Sequence, residues 1–132
     1  KRDFLELISE YENIYYHGVV DDQKKFKLFH SAHIFCLPTR YLEGQPIAIL
    51  EAYASGSAVI TFEQPGISDI FTENVNGFFA DKKSIDSISF KISHLHSDKN
   101  LIKQIAINNF KQAFKNHRQI TYSKKVEEYI TN

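Results

Sequence analysis

The chain has 132 residues, with 16 Lys and Arg against 16 Asp and Glu, and 42% of it is hydrophobic, including 7 Tyr and 11 Phe. That length suits one domain or part of one, the apolar content supplies a core and excludes intrinsic disorder, and zero net charge removes the basic footprint of a dedicated nucleic-acid binder. The single cysteine, Cys36, excludes a disulfide framework and points to a reducing, cytoplasmic setting, which the lack of a spanning apolar run, a signal-peptide pattern and an Asn-x-Ser/Thr site also favours.

In chain order, Phe4, Leu5, Leu7, Ile8 and Tyr11 fall near one stripe and predict a helix over 3–11. Ile14–His17 is a short β-prone run closed by Gly18, and Asp21 and Asp22 are placed to cap a helix over 22–32. His33–Leu37, ended by Pro38, has the length and composition of a buried parallel strand. After a polar loop, Thr39–Gln45, Pro46 suits a first helical position, IAILEAYAS continues the helix, and Gly56 is its expected stop. Residues 57–62 read as a strand, 64–77 as a turn-rich stretch with a short helix around Ile67–Phe71, and Gly77–Ala80 as a strand.

From Ser84, a cap, the pattern is helical to the end. Its stripes are Ile85, Ile88, Ile92 and Leu95, then Leu101, Ile102, Ile105 and Phe110, then Tyr122, Val126, Tyr129 and Ile130, with Phe110 and Phe114 expected in the core. The charge is uneven. Residues 1–81 carry 6 basic and 12 acidic side chains and 82–132 carry 10 and 4, so the C-terminal third is basic. That third is either a set of solvated helix faces or a surface for an anionic partner or membrane. Alternating apolar strands and helices predict an α/β fold with a parallel sheet covered on both faces, a core over 12–81 and C-terminal helices over 84–131. Ligands of such sheets sit at the carboxyl ends of the strands, which selects Gly18, Pro38–Gly44 and Glu63–Gly66.

The segment from Pro38 to Gly56 carries the chemistry. Glu43 lies in the loop and Glu51 on the second turn of the helix, about 7–8 Å along its axis from Pro46, so both carboxylates can face one ligand. Between them, Gly44 lets a ligand approach the main chain, and the Gly44–Gln45 backbone with the first helical turn offers free N–H groups to a phosphate. An anion at a helix start, flanked by acceptors for hydroxyl protons, describes a sugar joined to a nucleoside diphosphate, one carboxylate for each sugar. Arg40 is a candidate for the phosphate or donor sugar, or a loop arginine paired with Glu43 or solvent.

The run LPTRYLEGQPIAILEAYASGSAVIT, with Glu43 and Glu51 eight apart, resembles the signature of the retaining, metal-independent glycosyltransferases of the two-domain GT-B architecture, the glycosyl transferase group 1 family. Asn13–Gly18, His33–Pro38, Pro65–Asp69 and Asn76–Phe79 are similar to further family segments in the same order. The resemblance implies a Rossmann-like parallel sheet with flanking helices, the nucleotide-sugar domain of that fold lacking its first strands. It implies that Glu51 binds the donor ribose, that Glu43 contacts and places the donor sugar, and that Gly44 and Gln45 give N–H groups to the sugar or phosphate, next to Pro46. Gly18 and Val19 match the neighbourhood of the base. No metal or other cofactor is implied, and the acceptor, a glycan or a lipid-linked one, is not named by it.

The family's donor domain opens with two more strands and an Arg–Lys pair that nothing N-terminal to Lys1 supplies, and its acceptor domain is absent. In that fold the two strands lie between the 14–17 run and the 33–37 strand. The expectation is therefore the C-terminal part of a longer enzyme, incapable of transfer alone, with peripheral membrane contact through the basic third left open. The alternatives are a nucleotide-sugar epimerase of the same architecture and a noncatalytic binding or scaffold module. His30, His33 and Cys36 have metal-like spacing, but a strand through 33–37 puts His33 and Cys36 on opposite faces.

Overall fold

The computed structural model describes residues 2–42 and 44–116; Glu43, Lys1 and residues 117–132, with the last expected helical stripe, lie outside the described residues. The elements run α1 (Arg2–Ser9), α2 (Asp22–Ser31), β1 (Ile34–Leu37), α3 (Ile47–Ala54), β2 (Ala58–Phe62), α4 (Pro65–Ser68), β3 (Gly77–Ala80), α5 (Ile85–Ser97) and α6 (Lys99–Asn116). The three strands form a parallel sheet in the order β1-β2-β3, with Ile34 opposite Ala58 and Val59 opposite Gly77. This is the expected alternation, and each crossover carries a helix as parallel pairing requires.

β2 is buried at every position because helices cover both sheet faces. On one face Val59 packs with Ile49, Ala52 and Tyr53 of α3, and with Ile67, Ile70 and Phe71 around α4. On the other, Ala58, Ile60 and Phe62 meet Phe78 and Ala80 of β3, Leu95 of α5 and Ile105 of α6. α6 serves both faces, since its Ala113 joins the first cluster and its Ile105 the second.

Local chemistry sets the element ends. The Asp21 carboxylate accepts from the Lys24 N–H at 2.8 Å and starts α2, and Ser84 caps α5 in the same way. α3 ends at Gly56, whose φ of +76° suits glycine; the N–H groups of Gly56 and Ser57 return to the carbonyls of Tyr53 and Ala52. Pro46 is the residue before the helix rather than its first member, with ψ at 111°, one position from the expected start. Gly77 has φ of +144°, and a Cβ there would sit 1.8 Å from the Val59 carbonyl oxygen.

Three sequence expectations fail. The run Ile14–His17 is not a strand, and its residues are exposed. A strand needs a hydrogen-bonded neighbour, and among the described residues none reaches this run. Ile85 is 85% exposed and Ile92 lies outside the core, so only Ile88 and Leu95 of that stripe pack inward. Phe110 and Phe114 are 54% and 56% exposed, because the α6 face that reaches the core is the one bearing Ile105, Asn109 and Ala113.

Candidate functional site

The carboxyl ends of the strands are joined by side chains from β2 and from the loops that follow β1 and β2. The Thr61 hydroxyl donates to the Leu37 carbonyl at 2.9 Å, joining the ends of β2 and β1. Gln64, buried, donates to the Thr39 carbonyl at 3.2 Å, and Arg40 donates to the Lys82 carbonyl at 2.7 Å, spanning from the loop after β1 to the loop after β3. Arg40, itself exposed, thus braces this edge through one guanidinium N–H.

At this edge α3 begins without a capping side chain and with no acidic residue in its first turn. Pro46 is buried, Gly44 and Gln45 are exposed, and a Cβ built on Gly44 would meet nothing within 4 Å, so the approach to the first turn is open. The N–H groups of a helix start carry a partial positive charge, worth about 0.3–1 kcal/mol to an anion at an exposed end. Glu51 lies four residues beyond Ile47, about 6 Å along the axis.

The Glu51 carboxylate is not free. Lys25, from the second turn of α2, donates to its Oε1 at 2.8 Å, and the Asp22 carboxylate stands 3.4 Å from the same ammonium. The hydrogen bond and charge of Glu51 hold the Lys25 ammonium above the ordinary lysine range, with Asp22 adding to the effect. The side chains of Lys25 and Glu51 are 40% and 34% exposed, so the pair is partly screened by water. Two cavities meet at Glu51. One, of about 510 Å³, also takes Asp22, Lys25, Phe26, Phe29 and Phe110 into its wall; the other, of about 410 Å³, takes Ile47, Leu50, Ala113 and Phe114.

Of the residues expected to act together, Pro46, Gly44, Gln45 and Glu51 are carried by α3 and its approach, while Gly18 and Val19 lie in the segment before α2. Gly18 has φ of +64°, and Val19 is fully exposed. Neither cavity at Glu51 includes Gly18, Val19, Arg40, Gly44, Gln45 or Pro46, and Glu43 lies outside the described residues. Sequence reading missed Lys25. The signal available was the acidic-to-basic spacing Asp22–Lys25 on a predicted helix; nothing local tied that helix to α3, 26 positions away.

The family model for glycosyl transferases group 1 matches residues 4–112. An alpha-1,3-N-acetylgalactosaminyltransferase of Campylobacter jejuni, acting on N,N'-diacetylbacillosaminyl-diphospho-undecaprenol by its name, is 34% identical over 82 residues, 62% of this chain and 22% of its own length. An uncharacterized glycosyltransferase of Methanocaldococcus jannaschii is 30% identical over 115 residues, 84% of this chain and 29% of its own. The chain therefore spans less than a third of these curated relatives. Among solved structures, the Anabaena protein HepE in complex with UDP superimposes with a TM-score of 0.86 over 98% of this chain and 36% of its own, at 17% identity. The C-terminal domain of a glycosyl transferase group 1 family protein from Francisella tularensis gives 0.77 over 89% of this chain and 62% of its own, at 22% identity. At those identities the likeness is one of fold.

Proposed function

Because the chain belongs to the glycosyl transferases group 1 family, we propose that it is the nucleotide-sugar-binding part of an enzyme that moves a sugar from an activated donor to an acceptor hydroxyl with retention of anomeric configuration. The observation that carries this reading is the Glu51 carboxylate on the second turn of α3, held at one oxygen by Lys25, below an uncapped helix start with open space at Gly44. A carboxylate accepts several hydrogen bonds, so Glu51 with one oxygen engaged still has places for ribose hydroxyls. The N–H groups at the start of α3 suit the diphosphate, and Gly44 and Gln45 lie where a donor sugar would approach. Glu43 is assigned to contact that sugar, and Gly18 and Val19 to neighbour the base. Arg40 keeps the donor-side role only as far as its brace to Lys82 leaves it.

The fold relative from Anabaena is described in complex with UDP, with UDP and glucose, and with UDP-glucose, which supports a nucleotide-sugar ligand for this architecture. In the proposed reaction the bond from the anomeric carbon to the diphosphate oxygen breaks with its electron pair going to that oxygen, the acceptor oxygen bonds to the carbon on the same face, and the acceptor's hydroxyl proton passes to the departing diphosphate. The protein residues bind and orient; no metal is assigned a part. The remaining donor contacts, the acceptor site and the glycan or lipid-linked acceptor belong to the rest of the enzyme, and residues 1–132 alone are proposed to be inactive.

The test is an assay of the whole encoded protein with a panel of labelled nucleotide-sugars and acceptor extracts. The reading predicts release of free nucleoside diphosphate with formation of a glycoside whose anomeric configuration, read by NMR, matches the donor. An isomerised donor with no glycoside, or no turnover of any donor, contradicts it.

A further inference from the structure

We propose that Lys25 is the positioning residue for ribose recognition in this chain: it holds the Glu51 carboxylate in the one orientation that leaves an oxygen for the ribose hydroxyls. The inference rests on the donor-site reading of Glu51 and adds to it a residue from a different element. Lys25 lies one turn into α2, the helix that follows the Gly18–Val19 segment, whereas Glu51 lies on the second turn of α3. Their contact at 2.8 Å ties the helix that follows the stretch assigned to the base to the helix assigned to the diphosphate.

The chemistry of the pair explains the role. A glutamate side chain that is a third exposed samples several rotamers, and fixing it on ligand binding costs conformational entropy. Lys25 removes that freedom beforehand. Its ammonium has three donors: one goes to Glu51 Oε1, and the Asp22 carboxylate on the same helix pairs with the ammonium at 3.4 Å. Glu51 Oε2 is left to accept. Phe26, Phe29 and Phe110 line the same cavity beside the pair.

The test separates positioning from mere structure by asking what the variant can still distinguish. UDP, GDP and ADP, each beside its 2′,3′-dideoxy analogue, are titrated by calorimetry into the whole encoded protein and its Lys25→Met and Lys25→Arg variants. Lys25→Met is expected to weaken the preferred ribonucleotide about fivefold, as befits a partly screened ion pair, and to leave the dideoxy analogue within about twofold. Lys25→Arg, which keeps a donor to Glu51, is expected to restore most of the loss. Equal weakening of both forms, or no weakening of either, overturns the proposal while leaving the donor site standing. If the unaltered protein binds no nucleotide, the donor-site reading fails first and this inference with it.

Discussion

Two regions of the chain respond differently to similar sequence. Residues 57–80 and the helices after them contain a strand buried at every position, a second strand beside it and a satisfied polar network behind them. Asn109 of α6 donates to the carbonyls of Ser57 and Asn76, while Asn76 donates to Asn109 and Gln112 and accepts from the Thr72 N–H. Residues 3–20 are as apolar, yet Phe4, Leu7, Tyr15 and Tyr16 are exposed and Ile14–His17 takes no strand form. The difference teaches that a β-prone run becomes a strand only where another strand meets its N–H and C=O groups.

The contrast can be broken most severely at Gly77. Gly77→Ala would put a Cβ 1.8 Å from the Val59 carbonyl oxygen, in a left-handed backbone region, so the two strands must part. A loss of about 3 kcal/mol or more, read by urea unfolding, is expected. Asn109→Ala comes next. It strands the buried Ser57 carbonyl and one Asn76 N–H, leaves the Asn76 carbonyl with the Val59 N–H alone, and should cost about 2–3 kcal/mol by the same measurement.

Tyr53 offers a finer test. Its hydroxyl donates to the Ile70 carbonyl at 3.2 Å in the core, and burial pushes its phenol well up from the ordinary value of 10.0. The folded chain keeps a proton that the unfolded chain releases above that value, so stability should fall as pH rises past 10.0. Tyr53→Phe should cost about 1 kcal/mol at neutral pH and flatten that alkaline decline, as followed by pH-dependent denaturant unfolding. The smallest effect belongs to the open region. Tyr15→Ser in the 132-residue chain should change stability by less than about 0.5 kcal/mol, and a larger loss would mean that the 14–17 run is paired after all.

Much of the closed region was legible in the sequence. Gly56 marks a helix stop, Asp21 and Ser84 are caps, and the run 57–62, apolar but for Ser57 and Thr61, matches a strand covered on both faces. What escaped depends on partners distant in sequence. The bonds that Thr61, Gln64 and Arg40 make to distant carbonyls show only when the ends of the three strands are brought side by side. Phe110 and Phe114 read as core because period alone cannot show which stripe of α6 meets the sheet; Asn109, polar and fully buried, marks that stripe instead. Of the candidate site, Glu51 and the open start of α3 were readable from the spacing, while the ion pair that fixes Glu51 required α2 and α3 to be adjacent.

The donor-site claim is tested most directly by calorimetric titration of UDP, GDP, ADP and CMP into the whole encoded protein and its Glu51→Ala variant. The account predicts that one nucleotide binds in preference to the others and that Glu51→Ala weakens it about tenfold or more while circular dichroism stays unchanged. Equal affinity in the two proteins would contradict it.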